Sequence, residues 1–246
     1  QREVISELLA DLLFDQDVVP GQVELLLPLA GVHWRVLVGV RPEEVPALEA
    51  SAGYLHELDW PLEPIDTYCT FACLGDAVMA IGVSRTTLQA WIDVVELADL
   101  PLHRVNWSLS SACQGLNNAL DAWSDDLALL LPHGQMLRMV LIRDGVPEVD
   151  RRFKLEQPDQ LRDDIRRFVA AWRAESSVNR SLGWWFSLPD LDAEGLLPLI
   201  DLDRGEQRLD QALAWTPDSV MDGSGQRTLD PLDHLCLYGM VSEDER

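Results

Sequence analysis

Short apolar runs of strand length alternate along this chain with longer stretches of helical period, and that interleaving excludes most architectures. Residues 34–107 read as a βαββαβ block, and residues 126–203 as three strands, a helix, a strand and a helix. A helical bundle has no use for the apolar runs of strand length, and a β-sandwich has no place for the helices. The order argues for an α/β chain in two lobes. Its 246 residues allow either one large α/β unit or two lobes of roughly 100 to 150 residues each.

The individual elements follow from period and punctuation. REVISELLADLLF sets Val4, Ile5, Leu8, Leu9, Leu12 and Leu13 on one helical stripe, and QVELLLPL is a short buried strand. WRVLVGV (34–40) is a strand, and RPEEVPALEASAGYLHEL reads as a helix with proline in its first turn. DTYCTFACLGDAVMAIGV is a hairpin turning near Leu74-Gly75-Asp76, and Ser84 caps a helix whose apolar face is Leu88, Trp91, Ile92, Val95 and Ala98. PLHRVNWS is a strand and SSACQGLNNALDAW a helix. LALLLP and MLRMVLI are joined by PHGQ, and VPEVDRRF follows the turn Arg143-Asp144-Gly145. Leu161, Ile165, Phe168, Val169 and Trp172 mark a long helix from near Pro158, GWWFSL is a strand, and DAEGLLPLIDL is a helix marred by Gly195 and Pro198. TPDSVMDGSGQRTLD is a loop, and DPLDHLCLYGMV closes the chain as a helix.

Composition limits the function classes. The formal net charge is −23, so nucleic acid and anionic membrane surfaces repel the chain, and membrane association has to run through a protein partner. Apolar residues make up 47 % of the chain, enough for a core, yet no run is long or clean enough for a transmembrane helix, and no signal peptide is visible. The sole lysine, Lys154, lies in RRFKLEQ with no glycine before it, which excludes a P-loop. The cysteines, Cys69, Cys73, Cys113 and Cys236, read as reduced core thiols and suit a cytoplasmic protein. Cys69, Phe71 and Cys73 share one face of a strand, and no second Cys/His pair follows at zinc spacing. No GxSxG elbow offers a nucleophile, and Asp201-Leu-Asp203-Arg-Gly205-Glu206 fails as a calcium loop because Ala212 stands where the bidentate glutamate belongs. His234 could pair with Asp230 on a helix turn, as surface or capping chemistry. Of the neighbours Trp184 and Trp185, one belongs to the core, and the other either joins it, covers a helix or meets a partner.

The order of elements resembles the PilM-type proteins, actin-like scaffolds of type IV pilus and type II secretion assembly. REVISELLADLLF and VELLLP are similar to the helix and strand before that family's inserted small domain. WRVLVGVRPEEVPALEASAGYLHELDWPLEPIDTY resembles its strand, its helix and the extended segment ending in an aspartate, here Asp66. GDAVMAIGVSRTTLQAWIDVVELADLPLHRVNWSLSSACQGL is similar to that domain's closing strand and helix, with the turn Leu97-Ala98-Asp99-Leu100, and to the return helix. DDLALLLPHGQMLRMVLIRDG resembles the first hairpin of the second lobe, and Arg151-Arg152 follow it. The resemblance implies an α/β chain of actin-like (ribonuclease H-like) lobes with an inserted small α+β domain. Residues 1–32 would be a remnant of the first lobe, 33–107 the inserted domain, and 108–246 the return helix and second lobe.

Actin-like proteins that use ATP clasp its phosphates with two hairpins carrying Asp-x-Gly, the glycine admitting backbone amides and the aspartate holding water around Mg²⁺. The corresponding hairpin here is Leu131-Pro132-His133-Gly134-Gln135: the glycine is in place, and Pro132 stands at the aspartate position. Asp125 and Asp126 lie about 20 Å upstream along an extended strand and cannot substitute. The family's adenosine turn would fall on Ser187, Leu188 and Pro189, which supply no glycine, and Gly195 comes too late. The first-lobe hairpin is absent, because the sequence is a fragment or the lobe is reduced. PHGQ also reads as an ordinary four-residue loop without phosphate ancestry. The resemblance thus implies a bacterial, non-enzymatic cytoplasmic scaffold without metal or cofactor, peripheral at the inner membrane. Its partner would be the cytoplasmic tail of an inner-membrane protein of the PilN kind, docked as an extended peptide. The alternatives are an active actin-like ATPase or small-molecule kinase, binding ATP and Mg²⁺ with its first hairpin upstream of Gln1, and a stand-alone acidic adaptor.

Overall fold

The computed structural model of the protein describes residues 2–19, 21–119, 126–155, 158–176, 180–187, 195–209, 232–233, 235–237 and 240. The chain divides into two compact units, Gln1–Ser110 and Ser111–Arg246.

The first unit opens with α1 (Arg2–Asp15) and β1 (Val23–Leu27). The apolar stripe of α1 splits by depth: Ile5, Leu9 and Leu13 are half-buried, while Val4, Leu8 and Leu12 face solvent. β2 (Val32–Val36) follows, and then the segment expected as one helix breaks into a 3₁₀ turn at Pro42–Glu44, the short α2 (Val45–Glu49) and a 3₁₀ stretch at Ala52–Glu57. Pro42 and Pro46 explain the break. Each fits only the first turn of a helix, so two prolines four residues apart start two short pieces. β3 (Thr67–Leu74) and β4 (Ala77–Ser84) form the expected hairpin, with Gly75 at φ 60° in its turn. β2, β4 and β3 make an antiparallel sheet with β4 in the middle. Leu37, Leu58, Val78 and Ala80 are its core, with Trp60 and Phe71 packed against them. Ser84 caps α3 (Arg85–Leu97), as expected, but Trp91 is 40 % exposed and Val94 is buried beside Val95. α3 packs on α1. β5 (Leu102–Trp107) then returns to lie parallel to β1, Leu27 opposite Trp107, so the antiparallel sheet is inserted between two parallel neighbours.

α4 (Ser108–Ala119) begins in the first unit and continues into the second. The second unit is built on β6 (Asp126–His133), β7 (Met136–Arg143), β8 (Val146–Lys154), β9 (Leu182–Phe186) and β10 (Glu206–Arg208), with α5 (Pro158–Ala174) between β8 and β9. The strand order is β10-β9-β6-β7-β8. β6, β7 and β8 run antiparallel, and β9 and β10 run parallel to β6. This is the ribonuclease H-like order. Asp144 (φ 51°) and Gly145 (φ 75°) both take left-handed conformations, as a two-residue hairpin turn of type I′ requires. β9 is buried along its whole length, and Trp184 (1 % exposed) and Trp185 (3 %) both belong to the core. α5 buries Leu161, Ile165, Val169 and Trp172 against Leu130, Met139, Leu141, Phe153 and Trp184, as its period predicts, each such side chain contributing about 1.5–3 kcal/mol. Of the helix expected over 192–202, residues 192–194 lie outside the described residues, Gly195 and Leu196 are helical, and a 3₁₀ turn at Leu197–Leu199, which contains Pro198, ends it. The loop at 216–230 lies outside the described residues, and the closing helix falls only partly within them.

Candidate functional site

β6, β9 and β10 are parallel, and in open α/β sheets ligands bind beyond the carboxyl ends of such strands. Leu130 of β6 lies opposite Phe186 of β9, so the β6–β7 tip and Ser187 share that end of the sheet. The tip is tighter than a four-residue loop. Pro132 and His133 belong to β6, opposite Leu137 and Met136 of β7, and only Gly134 and Gln135 form the turn. Gly134 has φ 61°, and a Cβ added there would meet nothing within 4 Å. Backbone conformation, not crowding, selects glycine at this position. Pro132 is exposed and offers neither a carboxylate nor an N–H.

No acidic group replaces the missing one from within β6. Asp126 lies at the opposite, amino-terminal end of the strand, 2 % exposed, with its Oδ1 3.5 Å from Nε of Arg143. Burial pushes its carboxyl above the usual range, against the pull of Arg143, Arg180 and Arg173. Arg143 also approaches Glu148 at 3.3 Å, donates to the Trp172 carbonyl at 3.0 Å and lies over the Trp172 ring. The adenosine-side position is equally committed to structure. Ser187 is buried, its N–H donates to the Leu130 carbonyl (2.9 Å), and its hydroxyl accepts from the Leu232 N–H (3.3 Å). Leu188 and Pro189 lie outside the described residues.

The amino-terminal end of the same sheet holds a charged cluster that the sequence did not signal. Glu206 accepts from Arg173 (2.9 Å), from the Trp184 indole (2.9 Å) and from the Asp201 N–H (3.0 Å), in the segment rejected as a calcium loop. A cleft of about 1340 Å³ opens beside it, lined in part by Arg166, Arg173, Arg180 and Arg204. These arginines pair with groups already in the fold: Arg173 with Glu206, Arg180 with Asp144, Arg204 with Asp201, and Arg166 with the Pro198 carbonyl. The cluster holds β9, β10 and α5 together.

In the first unit Asp66 ends the extended segment, as the family pattern suggests. It accepts from the Ser84 hydroxyl (2.6 Å) and from the Thr86 N–H (2.9 Å) and hydroxyl (2.7 Å), and these bonds hold its carboxyl below the usual range. The cysteine row is not uniform. Cys69 is half-buried and its thiol is pushed up to about 11 by burial, whereas Cys73 is exposed. Cys113 is pushed up to about 12 for the same reason, and none of the four cysteines forms a disulfide. Among the described residues no group of three or more His, Cys, Asp or Glu could hold a metal ion, and no helix is long and apolar enough to cross a membrane. His234 lies outside the described residues.

No protein-family model matches the sequence, and no curated protein matches it. Solved structures do resemble it. A chain of the PilM-PilN type IV pilus biogenesis complex superposes with a TM-score of 0.65 at 15 % identity, over 98 % of this chain and 84 % of that one. The cytoplasmic domain of EpsL, an inner-membrane component of the type II secretion system of Vibrio cholerae, gives 0.51 at 15 % identity over 98 % and 80 %. A Bacteroides thetaiotaomicron protein of unknown function, described as having an actin-like ATPase fold, gives 0.47 at 11 % over 84 % and 77 %. The chain has the actin-like fold, and its second sheet carries the strand order that defines such a lobe.

Proposed function

We propose that the protein is a non-enzymatic scaffold of a type IV pilus machine, or of a related type II secretion or DNA-uptake machine. On this reading it works in the cytoplasm, at the inner membrane through a partner, and docks the cytoplasmic tail of a membrane protein of the PilN kind. Residues 1–32 are then the remnant of the first lobe, 33–107 the inserted small domain and 108–246 the return helix and second lobe. The likeness to the PilM-PilN complex and to EpsL supports the assembly role.

One observation carries the loss of nucleotide chemistry: Pro132 stands in the ladder of β6 two residues before Gly134, so the tip keeps the glycine turn and lacks a carboxylate for magnesium. A neutral ring cannot order the hydration shell of the metal, so ATP would be held by backbone amides alone. Isothermal titration with Mg-ATP tests this reading directly. No binding up to about millimolar nucleotide, weaker than roughly 4 kcal/mol, is the expected result. Micromolar, magnesium-dependent binding would overturn it and establish an ATPase or kinase whose metal is anchored elsewhere. Fluorescence anisotropy with the cytoplasmic tail of a membrane protein encoded beside this gene tests the docking half. Micromolar affinity is expected, and no association at about 100 µM would reject it.

A further inference from the structure

The fourteen basic side chains of the second unit contrast with five in the first, and three of them fall within four consecutive residues, Arg151, Arg152 and Lys154, on β8. β8 is the outer strand of the five-stranded sheet. It pairs with β7 on one side and, among the described residues, with nothing on the other. Along a strand, side chains alternate between faces. On the α5 side, Arg151 lies over the Phe168 ring, 4.3 Å from its centroid, and beside Phe153. On the other side Arg152 stands opposite Arg138, whose guanidinium is held bidentately by Asp150 at 2.8 Å. Neither Arg151 nor Arg152 meets a carboxylate among the described residues. Between β8 and α5 lies a groove of about 640 Å³, lined by Arg151, Phe153, Lys154, Phe168 and the ion pair of Arg167 with Asp164, among others.

We propose that this edge is a docking site for an acidic, extended segment of a partner protein, which adds to the sheet beside β8. An unpaired edge offers main-chain donors and acceptors, and side chains at alternate positions then read the guest. The guest's side chains on the α5 face would enter a groove with an aromatic floor and, on its β8 side, the cations Arg151 and Lys154, and those on the other face would meet Arg152. Charge also disfavours the obvious rival, a second copy of this chain. Antiparallel pairing of two β8 edges centred between Arg151 and Arg152 would set these arginines against each other, and like charges opposite one another destabilise a sheet. A chain of net charge −23 that gathers Arg151, Arg152 and Lys154 on this edge strand is complementary there to an acidic peptide.

The test uses the full chain and a fluorescein-labelled peptide of about ten residues alternating glutamate with valine. Expected are micromolar binding by anisotropy, at least about tenfold weaker binding to the Arg152→Glu variant, and slower hydrogen exchange at the amides of 148–154. Methylating alternate backbone nitrogens of the peptide, which removes its donors without touching its charge, should abolish binding. That second probe leaves the protein unaltered and so holds even if a variant folds poorly. Four outcomes would overturn the proposal: no binding at about 100 µM, equal binding by the methylated peptide, equal competition by a single-stranded oligonucleotide of the same charge, or dimerisation of the free protein that protects β8. Without binding, the arginines would serve only to keep the edge from pairing. The outcome is separable from the scaffold reading, because no membrane-partner tail enters the experiment.

Discussion

Glu206 gathers three donors while only 8 % exposed, and a carboxylate in that position is destabilising the moment its partners are taken away. Glu206→Ala would remove the carboxylate partner of Arg173, leaving its guanidinium the Arg180 carbonyl, and would leave the Trp184 indole N–H without its acceptor. A loss of about 3–5 kcal/mol is expected in urea unfolding, with a smaller loss for Glu206→Gln, which keeps an acceptor for Trp184. Gly82 poses the opposite constraint. A Cβ there would fall 2.3 Å from the nearest atom of the Trp60 ring, so Gly82→Ala must displace the indole from β4 and is expected to lower stability by about 1–3 kcal/mol in the same assay. Neither role was legible beforehand. Arg173 and Glu206 are 33 residues apart, Trp60 and Gly82 are 22 apart, and period and local motif carry no information about which distant side chains meet. Pro132 and Gly134 were legible because their meaning is local: one removes a donor, the other permits φ 61°. Their functional meaning still depends on the titration with Mg-ATP.

Elements with strong local signals formed where period and punctuation placed them. α3 has both its ends written in the sequence: Ser84 accepts from the Thr87 N–H at 3.2 Å, and Asp99, at φ 54°, reverses the chain into β5. The failures have equally local causes. Two prolines broke 41–58, and the α1 and α3 stripes were drawn too wide, because helical period fixes a face and not how deeply its margins sink. Two predictions belong at this scale. Asp66 ties the end of the extended segment to the first turn of α3, and its hydrogen bonds depress its carboxyl. A depressed folded value means that the contribution is complete above the unfolded value, about 3.9, and disappears as pH falls through the folded one. The stability difference between the wild-type chain and Asp66→Ala should therefore be constant near neutrality and shrink on acidification toward about pH 3, read from urea midpoints. A difference that is flat with pH would mean that the carboxylate is not what holds α3. At the other end, Asp99 pays for a left-handed conformation and places a negative charge at a helix carboxyl terminus. Asp99→Gly should relieve both and raise stability by about 1 kcal/mol.

At the scale of the whole molecule, the pairing of β6, β7 and β8 followed from two successive hairpins, whereas β10 was not read as a strand and β9 pairs with β6 rather than with its sequence neighbour β8. The parallel partnership of β1 and β5 did not follow either, because the intervening sheet separates Leu27 from Leu102 by 75 positions. Charge is the other global property. Residues 1–110 carry seventeen acidic and five basic side chains, and residues 111–246 carry twenty-five and fourteen. Both units are therefore strongly negative, by 12 and 11 charges, and the field of each attracts a basic chain before any contact forms. On the scaffold reading, a basic membrane-partner tail is steered by this field, and steering acts on the encounter rate far more than on the lifetime of the complex. Stopped-flow association between about 20 and 300 mM NaCl should then show the on-rate falling by an order of magnitude or more while the off-rate changes little. An off-rate that carries most of the salt dependence would place the ion pairs inside the interface instead. A rate indifferent to salt would mean that the tail is recognised through its backbone and apolar side chains alone, with the acidic surface serving only to keep the scaffold off nucleic acid and anionic lipid.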